Sequence, residues 1–379
     1  MKNVVTKCLL VLLVLLLSGC AREPDPVVPT EQGGGCRDSI ELSTGFYYRN
    51  GNLLMRQQPG ELAFSPLCAD PACTHDGPDC AAWFENPGSA LSDLGWFHDR
   101  IWLVVKEQNT NTCYSVDPIS GARSREFVLP QAEPTGTRAH GDVGCRFTES
   151  YLAVFQTPGR SVPVEEGMER LFVVKLDDHT VTEPFAEVLE EQIHGTYPQI
   201  LNDGQVLGDK LYFSANFPRQ NINPMGETDT VFRAVILDLK KGSFEIIRDW
   251  DEQQWCTDGK VLLYYNQANR TLCTWDLENK TESATPLPDF LKGSDAFVTS
   301  YDSEYLYLNE FPQTIFDDSN LYIFSRDYTL LASLVLPAER TLAYDTEQRL
   351  YIKQPDGPIE FYLDKADIQS GNVELKPIP

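Results

Sequence analysis

Three cysteines and one histidine make the sharpest local chemical feature of the sequence. Cys68, Cys73, His75 and Cys80 follow one another as C-x4-C-x-H-x4-C within 13 residues, with prolines and glycine between them that could turn the chain. Thiolate and imidazole are the ligands of tetrahedral structural zinc sites. The spacing departs from the common C-x2-C pattern. One interpretation is a closed Cys3His site for a structural zinc ion, in which four protein ligands leave no position for a substrate.

The first 20 residues indicate a targeting segment outside the fold. Lys2 and Lys7 precede an apolar run from Cys8 to Leu17, which is short for a membrane-spanning helix. The run ends on Leu17-Ser18-Gly19-Cys20, which resembles the lipobox of bacterial lipoproteins. The resemblance implies removal of residues 1–19 and acyl chains, such as palmitate, on Cys20. It implies a chain held by lipid on a bacterial membrane, in the cell envelope and facing outside the cytoplasm.

Disulfide bonds are the competing interpretation of the cysteine cluster. Without Cys8 and Cys20, eight of the ten cysteines remain, and all eight can pair, whereas a Cys3His site would leave five over. A compartment outside the cytoplasm also favours oxidation. Disulfides are therefore the preferred interpretation, with Cys36 as the nearest partner of the cluster, although they give His75 no role. The eight cysteines are Cys36, Cys68, Cys73, Cys80, Cys113, Cys145, Cys256 and Cys273.

Composition separates a tether from a folded domain. Residues 20–38 combine proline, glycine and charge without apolar periodicity, so they are predicted to be a flexible tether, and residues 39–379 the folded domain. The chain has 31 basic and 56 acidic residues and a net charge of -25. Such a surface repels nucleic acid, which is excluded as a partner.

A hydrophobic pattern recurs about every 50 residues through the folded domain. Each copy reads as strand, tight turn, strand, longer loop, strand, tight turn, strand, most clearly between Val206 and Asp249. A period of 40 to 50 residues with four short strands is typical of β-propeller blades. We predict an all-β fold, a β-propeller of seven four-stranded blades, with six or eight as alternatives. We also expect Ser39–Leu42 and Asn372–Lys376 to close the ring within one blade. The second strands begin at Phe46, Ile101, Tyr151, Leu211, Val261, Leu306 and Leu350.

The second hairpin of several copies turns at an aspartate, as at Asp117, Asp238 and Asp276. This L-x-x-x-D-x-x-x-G rhythm resembles the blades of quinoprotein-like and TolB-like propellers of bacterial cell-envelope proteins. The resemblance implies a propeller ectodomain. The tryptophan-rich docking pattern of quinone-binding blades is missing, so a quinone cofactor does not follow from it.

The longer connections of such a ring fall at one end, where long loops on a rigid scaffold usually bind ligands. We therefore expect a non-enzymatic binding or scaffold module for an envelope protein, a peptide or a glycan. The sequence shows no H-E-x-x-H, G-x-S-x-G or P-loop motif, and the pairs Glu165-Glu166 and Asp317-Asp318 are better interpreted as solvated surface. A glycosidase or lyase remains the alternative, because propeller enzymes gather catalytic carboxylates from separate blades. The longer connections are Leu67 to Asp93, Gln131 to Val143, Thr157 to Glu169, Ala186 to Asn202, Asn216 to Thr230 and Phe311 to Ser319.

Overall fold

The computed structural model describes most of the predicted folded domain. The targeting segment, Cys20, the tether and Cys36 lie outside it, so cleavage, lipidation and the tether stay predictions. Within the described part, no helix has the length and apolar character needed to cross a membrane. The described residues are 39–85, 93–107, 110–129, 143–156, 170–184, 199–200, 204–222, 228–249, 255–266, 268–288, 296–310, 314, 316–354 and 357–379.

The strands form seven antiparallel sheets that follow one another along the chain, numbered here as blades 1 to 7. Blade 1 consists of β1 (Ser39–Leu42), β2 (Gly45–Asn50), β3 (Leu53–Gln57) and β4 (Ser65–Pro66). Blade 2 consists of β5 (Gly95–Phe97), β6 (Arg100–Glu107), β7 (Thr110–Val116) and β8 (Arg123–Val128). Blade 3 consists of β9 (Val143–Phe147), β10 (Tyr151–Gln156), β11 (Arg170–Lys175) and β12 (Val181–Thr182).

Blade 4 has its first strand in two pieces, which both pair with the long second strand. Its strands are β13 (Gln199–Ile200), β14 (Gln205–Leu207), β15 (Lys210–Ile222), β16 (Thr228–Asp238) and β17 (Ser243–Asp249). Blade 5 consists of β18 (Trp255–Thr257), β19 (Val261–Asn266), β20 (Thr271–Asp276) and β21 (Thr281–Pro286). Blade 6 consists of β22 (Ala296–Tyr301), β23 (Tyr305–Glu310), β24 (Ser319–Ser325) and β25 (Leu330–Leu336). Blade 7 consists of β26 (Thr341–Asp345), β27 (Arg349–Lys353), β28 (Ile359–Asp364) and β29 (Lys376–Pro377), with a short helix, α1 (Lys365–Ser370), before β29.

The seven sheets form a ring, and the predicted all-β propeller of seven four-stranded blades is confirmed. Every gap between neighbouring blades contains a cluster of buried side chains drawn from both. In β19, Leu263 and Tyr265 pack towards blade 6, whereas Leu262 and Tyr264 pack towards blade 4. Since successive side chains of a strand point to opposite faces, a sheet buried on both sides needs an unbroken apolar run such as VLLYY.

The recurring aspartates form the turns between the third and fourth strands. In blade 2, Asp117 Oδ1 accepts a hydrogen bond from the backbone N–H of Ser120 at 2.7 Å. In blade 5, Asp276 Oδ1 accepts one from the N–H of Asn279 at 2.7 Å. The aspartate in the repeat is therefore a turn-forming residue, and its side chain replaces a backbone acceptor.

The ring closes differently from the prediction. Ser39–Leu42 pairs with β2 in blade 1, whereas Lys376–Pro377 pairs with β28 in blade 7, so the expectation that both chain ends share a blade is wrong. The gap between blades 7 and 1 is closed by side chains. The ring of Phe46 stacks on that of Tyr351 with centroids 5.1 Å apart, and Tyr351 Oη donates a hydrogen bond to Gln57 Oε1 at 2.5 Å.

One of the predicted long loops is mostly strand. The segment Asn216 to Thr230 continues the ladder of β15 and β16, which remain paired from Pro218↔Thr230 to Ile222↔Thr228 across a bulge. Of the other predicted connections, residues 67–85 are described continuously, and they contain the cysteine cluster.

Candidate metal centre

The cysteine loop follows β4 and is fixed at both ends to the same edge of blade 1. At its start, the N–H of Leu67 donates to the carbonyl oxygen of Leu54 at 2.8 Å. At its end, the N–H of Leu54 donates to the carbonyl of Ala82 at 2.9 Å, and that of Phe84 to the carbonyl of Asn52 at 2.7 Å. The loop is therefore closed on itself and its base is rigid.

Two tight turns inside the loop bring its side chains together. The N–H of Cys73 bonds to the carbonyl of Asp70 at 3.2 Å, and the N–H of Cys80 bonds to the carbonyl of Gly77 at 3.0 Å. Between these turns, His75 has a φ of 58°, in the left-handed region that histidine adopts more often than most other non-glycine residues.

The turns place all four predicted ligands at one point. The three sulfurs and the nearest ring nitrogen of His75 all lie within 4.8 Å of one another. The imidazole presents Nδ1, which is 3.3 Å from Cys80 Sγ. With Zn–S bonds of about 2.3 Å, the sulfurs of a tetrahedral site are about 3.8 Å apart. A small contraction would close this group around an ion, so the cluster could bind a metal.

The thiols differ in how easily they ionise. Burial raises the pKa of Cys68, but hydrogen bonds outweigh it and hold that pKa below its ordinary value. The N–H groups of Asp70 and Ala81 contribute most of them, and the thiols of Cys73 and Cys80 add to the effect. Burial raises the pKa of Cys80 to about 11, and the neighbouring thiols add to the effect. The backbone is thus arranged to stabilise a thiolate at Cys68, whereas Cys80 needs a cation to ionise.

The loop also joins blade 1 to blade 2. Arg123, the first residue of β8, donates to the carbonyl oxygens of Trp83 at 2.5 Å and Pro78 at 3.1 Å. At Gly121 in the preceding turn, φ is 73° and an added Cβ would lie 2.3 Å from the carbonyl oxygen of Leu67. Because no other residue fits so close to that carbonyl, Gly121 lets the loop rest directly on blade 2.

The positions of the described cysteines bear on the disulfide interpretation. The seven described cysteines are free, and Cys36, the partner expected for the loop, lies outside the described residues. In blade 5, Cys256 packs towards blade 6 and Cys273 towards blade 4, so these two cannot pair with each other. Cys113 and Cys145 share the gap between blades 2 and 3.

Among the described residues, the predicted acidic pair Asp317-Asp318 forms hydrogen bonds with nearby backbone. In the exposed pair, Asp317 Oδ2 accepts from the N–H of Thr314 and Asp318 Oδ1 from the N–H of Ala338, each at 2.9 Å. Both carboxylates therefore stabilise backbone at the surface. Glu165 and Glu166 lie outside the described residues.

No family model matches the chain, and no curated protein matches it. Solved structures with a related fold include the β-propeller domain of the Trilobed protease from Pyrococcus furiosus, at 12% identity and a TM-score of 0.47, covering 94% of this chain and 96% of that one. A quinohemoprotein alcohol dehydrogenase from Pseudomonas putida HK5 has 10% identity and a TM-score of 0.48, covering 93% and 67%. An oligogalacturonate lyase in complex with manganese has 10% identity and a TM-score of 0.43, covering 74% and 73%. These proteins differ in activity, and the likeness is one of fold alone.

Proposed function

We propose that the chain is a bacterial cell-envelope lipoprotein whose propeller serves as a non-enzymatic binding or scaffold module outside the cytoplasm. The observation that carries this proposal is the order of its segments. Leu17-Ser18-Gly19-Cys20 ends a basic and apolar targeting segment, a tether follows, and the first strand of a rigid seven-bladed ring begins at Ser39. This order suits an anchor that displays a folded domain at a distance from the membrane.

The anchor is tested by fractionation. We expect detergent to release the protein from membranes and high salt to leave it there, because acyl chains rather than charge hold it. A palmitate analogue added to growing cells should label the wild type, and Cys20→Ala should be unlabelled and unprocessed. Label retained in Cys20→Ala would contradict the proposal, and Cys36→Ala is the matched control that should keep the label.

The binding surface that we propose is a cleft of about 740 Å³ between blades 3 and 4. It is lined by the tight turns between third and fourth strands, so it lies at the end of the ring opposite to the longer connections. Val173, Leu239 and Phe244 give it apolar walls, whereas Lys175 and Lys240 give it polar groups. A concave site of this size with mixed lining suits a peptide side chain or sugar ring. Binding here is tested with peptide and glycan arrays. Lys240→Trp should abolish wild-type signals by filling the cleft, and Lys260→Trp on blade 5 should keep them.

We propose further that the cysteine loop holds a structural zinc ion. The support is the convergence of four ligand atoms within 4.8 Å, together with a role for His75 that disulfides do not provide. A four-ligand site stabilises structure without offering a position for substrate. Because the loop lies between blades 1 and 2, a zinc ion bound there would help to hold these two blades together.

A further inference from the structure

The outer strand of blade 6 differs from the outer strands of the other blades. β25 has seven residues, Leu-Leu-Ala-Ser-Leu-Val-Leu, without a charge, and in its sheet it is paired with β24. An outer strand exposes a row of backbone N–H and C=O groups that can pair with another chain, and proteins protect such edges with charges or by keeping them short.

The other described outer strands have that protection. β8 contains Arg123, Arg125 and Glu126, and β17 contains Glu245 and Arg248. The strands β21 and β29 each contain one charged residue, and β4 and β12 are two residues long. A bulge does not distinguish β25, because β8 and β17 also pair with their neighbours through a register shift.

The exposed side chains of β25 form a symmetric pattern. Leu331 and Val335 are 37% and 56% exposed, and Ser333, also exposed, lies midway between them. An antiparallel copy of the strand related by a two-fold axis at Ser333 would place Leu331 opposite Val335 twice, with no charge in the ladder. An axis one residue later would leave Leu331 opposite Pro337, which has no N–H to donate.

We propose that β25 is a self-association edge, at which two copies of this chain join by antiparallel strand pairing centred on Ser333. A two-fold interface requires a surface that complements itself, and β25 meets this requirement in sequence and in exposure. The chain also has a net charge of -25, so two copies repel each other. A charge-free strand is the part of such a surface where a second copy can approach.

The association should be weak and should strengthen with salt. A seven-residue strand is about 24 Å long, and an interface one strand wide falls below the size of stable complexes, which indicates micromolar affinity or weaker. Salt screens the repulsion between the acidic copies without weakening the strand pairing.

Sedimentation velocity on the full chain in a density-matched detergent tests the proposal, from low micromolar to several hundred micromolar. We expect a concentration-dependent dimer that is favoured by salt. Ser333→Lys and Ser333→Glu should each raise the dimer Kd about fivefold or more, because like charges then face each other across the axis. An equimolar mixture of the two variants should dimerise again, because lysine then faces glutamate.

Val128→Lys, at an exposed apolar position of β8, is the matched control and should leave dimerisation unchanged. A wild type that stays monomeric throughout would overturn the proposal. So would a dimer that is insensitive to both Ser333 variants, or a mixture that fails to recover. None of these outcomes depends on the lipid anchor or on the zinc site.

Discussion

Single residues decide what the cysteine loop can bind. Cys68 receives two backbone N–H groups, Cys80 is nearly enclosed, and His75 turns Nδ1 towards it from a left-handed backbone. Ligands held in this way lose little conformational freedom when an ion binds. Without an ion, the same arrangement holds three buried or half-buried thiols close together, which favours either a metal or a bond between two of the sulfurs.

Zinc content distinguishes these outcomes. We expect protein purified without chelator to contain about one zinc ion per chain, and chelation to expose three thiols. His75→Asn should lower the zinc content, whereas His179→Asn should not. The two positions are matched, since both have φ of 58°, which asparagine tolerates. Mass spectrometry that finds the loop cross-linked to Cys36, with no zinc bound, would instead support disulfides.

The side chain of Lys365 is only 11% exposed, and its ammonium group lies between two carboxylates. Lys365 Nζ lies 2.6 Å from Asp302 Oδ2 in blade 6 and 2.5 Å from Asp345 Oδ1 in blade 7. Burial raises the pKa of Asp345 to about 6 despite the attraction of Lys365. The attraction of Lys365 overcomes burial at Asp302 and holds the pKa of that carboxyl below its ordinary value. The lysine therefore joins two blades and keeps at least one carboxylate charged in the interior.

We expect Lys365→Met to lower the free energy of unfolding by about 3–5 kcal/mol near neutral pH, because two carboxylates would remain buried without a cation. Without the lysine, their folded-state pKa values would rise above the unfolded values. The folded state would then bind more protons, and the loss should shrink as pH falls from 7 towards 5. Urea melts at both pH values check this, with Lys280→Met as control. Lys280 pairs with Glu245 at 3.0 Å on the surface, and its removal should cost about 1 kcal/mol or less.

Sequence predicted the ligands of the loop but not its neighbours. Cys68, Cys73, His75 and Cys80 are close in the chain, so their spacing alone indicates that they can meet. Arg123 and Gly121 are some 40 residues away, and only the ring geometry places them against the loop. A glycine in a turn and an arginine at the start of a strand carry no local sign of such a contact.

At the scale of the elements, aspartates in the turns between third and fourth strands give the ring a common sensitivity to acid. Backbone hydrogen bonds from Lys241 and Asn279 lower the pKa values of Asp238 and Asp276. The hydroxyl and N–H of Thr180 lower the pKa of Asp178 to about 2. Each of these carboxylates accepts its hydrogen bonds more strongly while it is ionised.

We expect the midpoint of urea unfolding to fall steeply below about pH 4. A carboxyl whose folded-state pKa is depressed contributes its stability above the unfolded value, and this is lost as pH falls through the folded value. Asp276→Asn, which keeps an acceptor oxygen without the charge, should flatten this part of the curve. Asp79→Asn, in the cysteine loop, serves as the control. A midpoint unchanged between pH 5 and pH 3 would contradict this role of the turns.

The strands themselves were largely predictable because burial on both faces demands apolar runs, as in Val261 to Asn266. The outer part of the hairpin of β15 and β16 was not predictable, because Pro218 and the asparagines that follow are typical of loops. Its ladder continues past Pro218 through a bulge, a long-range pairing that local propensity does not show.

The seven blades of the whole molecule form a closed ring although no blade contains strands from both chain ends. Sequence could not decide this point, because Ser39–Leu42 and Asn372–Lys376 both suit a strand. Ile40 and Leu42 pack with Ile101 of blade 2, so β1 completes its own blade and is not available to blade 7. The gap between blades 7 and 1 then depends on aromatic packing, with Tyr48 and Tyr344 at 5.6 Å besides the Phe46 stack.

We expect the ring to open first at the gap between blades 7 and 1. Phe46 contacts Tyr351 and Tyr344 across the gap between blades 7 and 1. Phe213 packs in the gap between blades 3 and 4, which are consecutive along the chain. Phe46→Ala and Phe213→Ala should each lower the free energy of unfolding by about 3–5 kcal/mol. Their effects on hydrogen exchange should differ, because blades 7 and 1 have no chain connection to hold them together once the packing weakens.

In Phe46→Ala, amides of β1, β2, β26 and β27 should lose protection before those of blades 3 to 5, at denaturant concentrations well below global unfolding. In Phe213→Ala, blades 3 and 4 should stay protected until the whole ring unfolds, because their shared segment keeps them adjacent and the ring is still closed. Simultaneous loss of protection in all blades of Phe46→Ala would mean that the gap between blades 7 and 1 is no weaker than the other six.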